Sequence, residues 1–392
     1  MTPGARVQAA IDVLEHVLAG DAAERALTVW ARGSRYAGSG DRAAVRDHVF
    51  DALRRLRSAA WAGGAGDVPI ARMPPRAVMA GVLAGQGVDP ATLFTGQGHA
   101  PEPLQQMPEP GDDMPYGVRH DMPDWLLPAL RESLGSDVDA VLLALRDRAP
   151  VTLRVNLARI TREGLIARLA EAGIGAKALA LSPAALVVTT RTRGLTATDA
   201  FAEGLFEMQD AGSQALVDRL PLLPGARVLD LCAGGGGKTL AMAARGAGPL
   251  FAHDADPGRM RDLPGRAARA GVQVDLLARP EDAAPFDGVV ADVPCSGSGS
   301  WRRAPEAKWR LTGERLAELR ATQTAILDRA VSLVRPGGWI AYMTCSLLAD
   351  ENEVQADACL SRHPGLSLLD RWSCTPVSDA DGFHLSLLGR SA

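Results

Sequence analysis

Lysine is scarce in this chain of 392 residues. Of its 42 lysine and arginine residues, only Lys177, Lys238 and Lys308 are lysine. Two of these three stand in the motif stretches described below, which indicates that a compact ammonium is required there rather than a planar guanidinium. The formal net charge of −4 excludes a chain that is basic throughout, so any contact with nucleic acid must use a local patch.

Cysteine is also sparse, and its spacing argues against two classes of protein. The five cysteines are Cys232, Cys295, Cys345, Cys359 and Cys374, and no two of them form a C-x-x-C pair. An odd number of cysteines at wide spacing argues against a disulfide framework and against a zinc site. We therefore expect free thiols and no bound metal.

Long apolar runs are missing as well. No run approaches the ~20 residues that a membrane-spanning helix needs, and the N-terminus lacks the basic-then-apolar layout of a signal peptide. Apolar residues make up 47% and charged residues 22%, as in ordinary globular proteins of two or three domains. We expect a cytoplasmic protein that has no contact with a membrane.

The most informative stretch is RVLDLCAGGGGKT, from Arg227 to Thr239. It predicts a buried strand, then a tight turn at the four glycines Gly234–Gly237, then a helix whose free N–H groups point at a ligand. A strand, a glycine loop and a helix in this order open a nucleotide-type fold. The alternative is a plain tight turn in an α/β domain.

Three ligand classes use such a loop, and the residues separate them. A P-loop would need glycine where Cys232 stands, and a dinucleotide site would need a third glycine where Thr239 stands. The pattern acid-x-Cys-Ala-x-x-Gly-Gly-Lys fits the S-adenosylmethionine loop of class I methyltransferases. On that reading, Asp254, which follows the next predicted strand, accepts hydrogen bonds from ribose hydroxyls. The alternative role for Asp254 is a helix N-cap.

The remaining periodicity divides the chain. Residues 1–95 show helical spacing throughout, and 96–118 read as a linker rich in Pro, Gly, Gln and Asp. Residues 119–203 predict a small α+β unit. In 204–392, strands and helices alternate, which indicates a parallel sheet with helices on both faces.

Three reactive side chains follow predicted strands of this sheet. Asp292 and Cys295 come after a strand at 288–291, and Cys345 comes after a strand at 339–343. Because ligands of an open α/β sheet bind outside the carboxyl ends of its strands, these residues should converge with the glycine loop. A thiol beside a methyl donor suits methylation at C5 of cytosine. That carbon becomes nucleophilic when a thiolate adds to C6, and the base must leave its stack. Spacing alone leaves open which thiol attacks.

Residues 119–392 resemble the RsmB/Sun/Nop family of RNA cytosine-C5 methyltransferases. The matching stretches are LRVN (153–156), QDAGSQ (209–214), the glycine loop (230–239), DVPCSG (292–297), RRAPEAKW (302–309) and TCS (344–346). Residues 1–95 resemble, more weakly, the NusB-like helical RNA-binding domain of bacterial members. The resemblance implies an α/β, class I (Rossmann-like) methyltransferase domain, a small α+β RNA-binding subdomain and an N-terminal all-helical NusB-like domain.

The resemblance also implies roles. Cys345 would be the nucleophile, Cys295 would assist release of the product, and Asp292 would sit between base and cofactor. S-adenosylmethionine would be held by Cys232, Ala233, Gly234, Gly235, Gly236, Gly237, Lys238, Asp254 and Asp292. RNA, most simply ribosomal RNA, would be contacted by Arg302, Arg303, Lys308 and Trp309, for which a structural salt-bridged loop is the alternative. We expect a monomer.

Two departures from the family pattern keep an alternative open. The family has Ala-Pro where this chain has Gly234-Gly235, and an acid near the adenine where this chain reads LARP at 277–280. The adenine partner is therefore not assigned. A non-catalytic RNA-binding assembly factor with a degenerate cofactor site is the second hypothesis. A DNA cytosine methyltransferase is disfavoured, because no separate DNA-reading insertion is visible.

Overall fold

The computed structural model of the protein describes residues 1–104, 113–190 and 194–392. The α-helices are α1 (Pro3–Leu18), α2 (Ala23–Gly33), α3 (Ser39–Arg54), α4 (Leu56–Ala62), α5 (Pro75–Gly85), α6 (Tyr116–Arg119), α7 (Leu127–Leu134), α8 (Val138–Ala144), α9 (Arg162–Glu171), α10 (Asp199–Ala202), α11 (Ala211–Asp218), α12 (Gly237–Ala244), α13 (Leu263–Ala270), α14 (Pro305–Arg310), α15 (Gly313–Leu333) and α16 (Glu353–Arg362). Of the helices in these ranges, none is long and apolar enough to span a bilayer.

The strands form two sheets. They are β1 (Thr152–Val155), β2 (Ala176–Ala178), β3 (Ala185–Val188), β4 (Phe206–Met208), β5 (Pro224–Asp230), β6 (Gly248–Ala252), β7 (Asp275–Leu276), β8 (Phe286–Asp292), β9 (Val334–Thr344), β10 (Leu366–Cys374) and β11 (Phe383–Arg390). In the described ranges, the small sheet has the order β2-β3-β1-β4 and the large sheet the order β10-β11-β9-β8-β5-β6-β7.

Contacts divide the chain into two compact units. Unit 1 comprises residues 1–148 together with 301–310, and unit 2 comprises 149–300 together with 311–392. The division differs from the predicted domain boundaries, since residues 119–148 and the short segment carrying α14 both group with the N-terminal helices. The predicted linker lies partly outside the described residues. Near its two ends, Leu104 packs against the core of unit 1 and Val118 is buried.

Unit 1 is helical, as the periodicity of its first 95 residues predicts. Apolar side chains at helical spacing on α1, such as Val7 and Leu14, share one core with Val49 and Leu53 of α3 and with Val82 of α5. Thr2 caps α1 by accepting a hydrogen bond from the N–H of Ala5 at 3.2 Å. The N-terminal helical domain is therefore confirmed as a fold element.

The small sheet of unit 2 is antiparallel throughout. Leu153 and Val155 of β1 are fully buried and pack with Leu165 and Leu169 of α9 on one side of that sheet. The predicted α+β character of this region is confirmed. The sequence did not indicate β2 and β4, which are three residues each and too short to show periodicity.

The large sheet has two buried faces. In β8, Val289 enters a core with Leu327 of α15, whereas its neighbour Val290 enters the opposite core with Leu216 of α11 and Met242 of α12. Helices therefore cover both faces, as predicted.

The predicted parallel sheet is antiparallel at one edge. The five strands β5, β6, β7, β8 and β9 are parallel. At the edge, β11 pairs antiparallel with β9, and β10 pairs antiparallel with β11. β10 was not predicted because most of its middle residues are exposed, including Leu368 and Leu369, so the strand does not show an alternation of buried and exposed residues. Strand order reverses between β5 and β8, and this switch point positions the site described next.

Candidate active site

The glycine loop joins β5 to α12 at the switch point. Gly234 and Gly236 adopt φ values of +50° and +81°, which favour glycine. A Cβ on Gly236 would lie 2.1 Å from Cδ1 of Leu263, so the backbone there packs directly against α13. At Gly237 a Cβ would meet only Gln209, at 3.6 Å. The loop thus leaves its own backbone open at the N-terminus of α12.

Asp254 anchors this loop from the end of β6. One oxygen of its carboxylate accepts a hydrogen bond from the N–H of Gly234 at 2.9 Å, and the other accepts one from the N–H of Asp256 at 3.0 Å. The side chain is nearly buried. The guanidinium of Arg259 lies 3.4 Å from the oxygen that bonds Gly234, so the second lone pair of the other oxygen is the one available to a hydroxyl donor of a ligand.

The first two residues of the loop behave as structural groups. Burial raises the pKa of the Cys232 thiol to about 12, so this thiol stays protonated. Ala233 is buried and its N–H donates to the carbonyl of His253 at 2.9 Å. Any contact of Cys232 or Ala233 with a ligand would therefore come from the backbone or from packing.

The two predicted thiols are neighbours. The Sγ atoms of Cys295 and Cys345, which follow the adjacent parallel strands β8 and β9, lie 3.5 Å apart. The hydrogen bond from Cys295 lowers the pKa of Cys345 and outweighs burial and the charge of Asp292, which both raise it; the ammonium of Lys238 acts in the same direction as the hydrogen bond. The same hydrogen bond, together with burial, raises the pKa of Cys295 well above the ordinary thiol value. The pair therefore favours a thiolate on Cys345 and a thiol on Cys295.

Lys238 and Asp292 form an ion pair beside the thiols. The Nζ atom of Lys238 lies 2.5 Å from Oδ2 of Asp292. Burial alone would lower the pKa of Lys238, but the charge and the hydrogen bond of Asp292 outweigh burial and raise it. Lys238 is therefore a fixed positive charge at the carboxyl ends of the central strands. It is one of the two lysines in motif stretches for which the sequence indicated that an ammonium is required.

A second acid lies beneath this pair. Asp230, the last residue of β5, is almost fully buried, and its Oδ2 accepts a hydrogen bond from Oγ1 of Thr239 at 2.6 Å. Its Oδ1 has no hydrogen-bond partner among the described residues. Burial raises the pKa of Asp230 to about 6.

Sequence reasoning missed the residues that join the small sheet to the loop. Arg154 of β1 is buried, and its guanidinium donates to the carbonyl of Gly237 at 2.6 Å and to Oε1 of Gln209 at 2.5 Å. Arg266 of α13 bridges Glu207 of β4 to the loop, bonding the Glu207 carboxylate at 2.9 Å and donating to the carbonyl of Gly235. A sequence signal was available for Arg154 and Gln209, because both stand in stretches that match the family pattern. No such signal marks Arg266 or Glu207.

The four residues expected to contact RNA belong to unit 1. Arg302 and Lys308 are buried there: the carbonyl of Arg302 accepts a hydrogen bond from Nε of Arg54 at 2.7 Å, and burial lowers the pKa of Lys308 to about 8. The indole N–H of Trp309 donates to the carbonyl of Leu53 at 2.7 Å. Of the four side chains, Arg303 is the exposed one. In this structure the burial of Arg302 and Lys308 takes their side chains away from an RNA ligand.

All five cysteines are free thiols, as expected. One group within the described ranges, Asp328, Cys359 and His363, brings three possible metal-ligand atoms within 4.8 Å of one another. Asp328 already bonds Nε2 of His363 at 2.8 Å and the guanidinium of Arg362 at 2.9 Å. A guanidinium on that carboxylate competes with a cation, so we assign no metal to the group.

Two family profiles match the chain. The family described as 16S rRNA methyltransferase RsmB/F matches residues 219–385. The ferredoxin-like domain of RsmF/B-like methyltransferases matches residues 122–193. Together they cover most of unit 2, including the glycine loop and both strand-end cysteines.

An individual relative agrees with these profiles. Ribosomal RNA small subunit methyltransferase B of Xanthomonas campestris pv. campestris is 35% identical over 250 residues, 61% of this chain and 57% of that relative. The chain thus spans less than two thirds of that relative's length.

Solved structures show the same fold. The crystal structure of PH0851 is similar with a TM-score of 0.78 at 23% identity, over 100% of this chain and 99% of that one. The crystal structure of NSun6 from Pyrococcus horikoshii with SFG is similar with a TM-score of 0.63 at 18% identity, over 69% of this chain and 99% of that one. At these identities the similarity establishes the fold alone.

Proposed function

Because the chain belongs to the RsmB/F family of 16S rRNA methyltransferases, we propose that it methylates C5 of a cytosine in ribosomal RNA with Cys345 as the nucleophile. The observation that carries this proposal is the pair of sulfurs 3.5 Å apart at the carboxyl ends of two adjacent parallel strands. The proposed methyl donor is S-adenosylmethionine.

The residues around the glycine loop fit such a donor. The loop exposes backbone at Gly235 and Gly237, where added Cβ atoms would meet only the ends of long side chains. Asp254 offers carboxylate lone pairs for ribose hydroxyls at the end of β6, and Lys238 and Asp292 offer opposite charges for the methionine end. When bound, S-adenosylmethionine would supply the electrophilic methyl group.

The thiol pair divides the chemistry. The thiolate of Cys345 forms a bond to C6 of the flipped cytosine, and the electron pair of the C5–C6 double bond moves to C5. That carbon would take the methyl group from the sulfonium, whose S–CH3 bond breaks to leave a neutral thioether. Asp292, oriented by Lys238 and ionised, accepts a hydrogen bond at N3 of the ring, which binds with N3 protonated. Loss of the C5 proton to a base then breaks the S–C6 bond and restores the Cys345 thiolate. Cys295, which stays protonated next to that sulfur, assists this release.

For the RNA itself, we retain Arg303 as a proposed contact, because its side chain is exposed. Arg302, Lys308 and Trp309 would serve this role only after a change in unit 1, since each is buried or bonded there. Phosphate contacts by arginine position an RNA without reading its sequence. The particular cytosine is therefore left to experiment.

The test uses the full-length chain, radiolabelled S-adenosylmethionine and a small-subunit rRNA transcript. We expect Cys345→Ala to lose methyl transfer by at least about 10⁴-fold while keeping cofactor binding, because the nucleophile is removed but the loop is not. We expect Cys295→Ala to accumulate a protein–RNA adduct that survives a denaturing gel. Cys359→Ala, which removes a buried thiol of α16 that is not among the predicted site residues, is the control.

The outcomes separate the hypotheses. Full methyl transfer by Cys345→Ala would refute the nucleophile assignment, and a product other than 5-methylcytidine in digested RNA would refute the chemistry. Wild-type protein that shows no calorimetric binding of S-adenosylmethionine would favour the non-catalytic assembly factor. Equal transfer to a DNA oligonucleotide would favour the DNA-directed alternative.

A further inference from the structure

One buried carboxylate lies behind both cysteine turns. Glu351, in the turn between β9 and α16, is 0% exposed. Its Oε1 accepts hydrogen bonds from the N–H of Ser296 at 2.8 Å and from Nε2 of Gln323 at 3.0 Å. Its Oε2 accepts from Oγ of Ser296 at 2.5 Å and from Oγ of Ser346 at 2.6 Å. Four donors therefore converge on a single side chain.

The identity of these donors connects Glu351 to the thiols. Ser296 directly follows Cys295, and Ser346 directly follows Cys345. Each thiol is thus one peptide away from a serine that Glu351 holds. The two turns are also bonded to each other, since the N–H of Gly299 donates to the carbonyl of Cys345 at 2.9 Å.

We infer that Glu351 is a positioning residue that fixes the two cysteine turns against each other, so that their sulfurs stay at contact distance. The inference rests on the proposed function. A buried carboxylate is costly to desolvate, and an apolar side chain of similar volume would often stabilise such a place as well or better. Three of the four donors here come from the two serines beside the reactive cysteines, which indicates that Glu351 positions the cysteines rather than stabilising the core.

The charge of Glu351 has a second effect. It is one of the groups that raise the pKa of Cys295, after the hydrogen bond to Cys345, burial and the charge of Cys345 itself. Lys238 acts on Cys345 in the opposite sense. Glu351 therefore adds to the hydrogen bond between the thiols, which is the largest cause that keeps the proton on Cys295.

The test compares Glu351→Gln with Glu353→Gln, the same change two residues later on α16. The first variant keeps the size of the side chain and loses its charge. We expect Glu351→Gln to lower kcat by about 10²-fold, the effect of a small misplacement of reacting groups, with S-adenosylmethionine affinity within about twofold of the wild type. Mass-spectrometric alkylation of the free enzyme should show Cys295 reacting at lower pH than in the wild type. Glu353→Gln should match the wild type in both measurements.

A milder variant keeps the inference testable if Glu351→Gln does not fold. Ser346→Ala removes one donor and leaves the charge in place. We expect it to lower kcat by about tenfold without moving the pH profile of Cys295 alkylation. Unchanged kcat in Glu351→Gln, or in Ser346→Ala where only that variant folds, would overturn the inference.

Failure of the inference differs from failure of the proposed function. Alkylation of the thiols needs no RNA, so its pH profile reports on Glu351 even if cytosine is not the substrate. A wild-type protein without methyl transfer would count against the proposed function. Identical alkylation profiles of wild type and Glu351→Gln would count against the role of the Glu351 charge.

Discussion

The buried acid at the end of β5 gives a stability prediction with a definite sign. Asp230 is 1% exposed, and Thr239 is its one side-chain hydrogen-bond donor among the described residues. Burial raises its pKa from 3.8 to about 6. We expect Asp230→Asn to stabilise unit 2 at neutral and alkaline pH, because the amide keeps the shape of the side chain and cannot ionise.

Linkage gives the magnitude and the pH window. The folded-state pKa of Asp230 lies above its unfolded value, so its favourable contribution is complete below about pH 4 and is lost as the pH rises through 6. The rise from 3.8 to about 6 corresponds to about 3 kcal/mol. Asp230→Asn should therefore gain up to about 3 kcal/mol at pH 8 and about half of that at pH 5.

Differential scanning calorimetry of the full chain measures this difference. A gain of 3 kcal/mol should raise the midpoint of the corresponding transition by about 6–12 °C at pH 8. Asp275→Asn, which removes an exposed carboxylate on β7, is the control and should change stability by less than about 0.5 kcal/mol. A midpoint for Asp230→Asn that is lower than the wild type by the same amount at pH 5 and pH 8 would refute the reasoning.

Two further predictions concern the glycine loop, and calorimetric binding of S-adenosylmethionine measures both. Gly236→Ala should lose about 2–4 kcal/mol of stability and most of the binding, because it adds a clash with α13 to left-handed strain. Gly246→Ala is the control, because Gly246 has a similar φ of +79° but no atom within 4 Å of an added Cβ, so this variant shows the cost of backbone strain alone. Equal losses of stability in the two variants would contradict a clash at Gly236. Arg154→Met should weaken binding by about tenfold, since it removes a charged donor from the carbonyl of Gly237. Arg168→Met, on the exposed face of α9, is the control and should leave this binding unchanged. Unchanged binding in Arg154→Met would show that the small sheet does not support the loop.

Much of the fold could be predicted because it rests on local signals. The glycine loop needs glycine at positive φ, and buried strands ending in Asp230 and Asp292 show as apolar runs. Placing Cys295 and Cys345 at one edge required only the rule that ligands bind outside the carboxyl ends of parallel strands. The structure confirms that these sulfurs meet.

Other features depend on partners that lie far apart in the chain. Nothing local marks Lys308 as a buried residue, since the charged groups around it come from residues more than 150 positions away. Nor does the sequence show that Glu351 receives donors from Ser296 and Gln323. The exposed strand β10 was missed for the related reason that pairing with β11, not its own pattern, holds it.

The sequence by itself therefore determined the family, the helical and α/β regions, and the chemical types at the site, because residue type and short-range spacing carry that information. Only the tertiary structure decided which thiol is disposed to ionise, which acid is buried without a second partner, and which lysine faces a carboxylate. Those properties are set by desolvation and by charges a few ångströms away in space, and the chain brings these together from elements separated by tens to hundreds of residues.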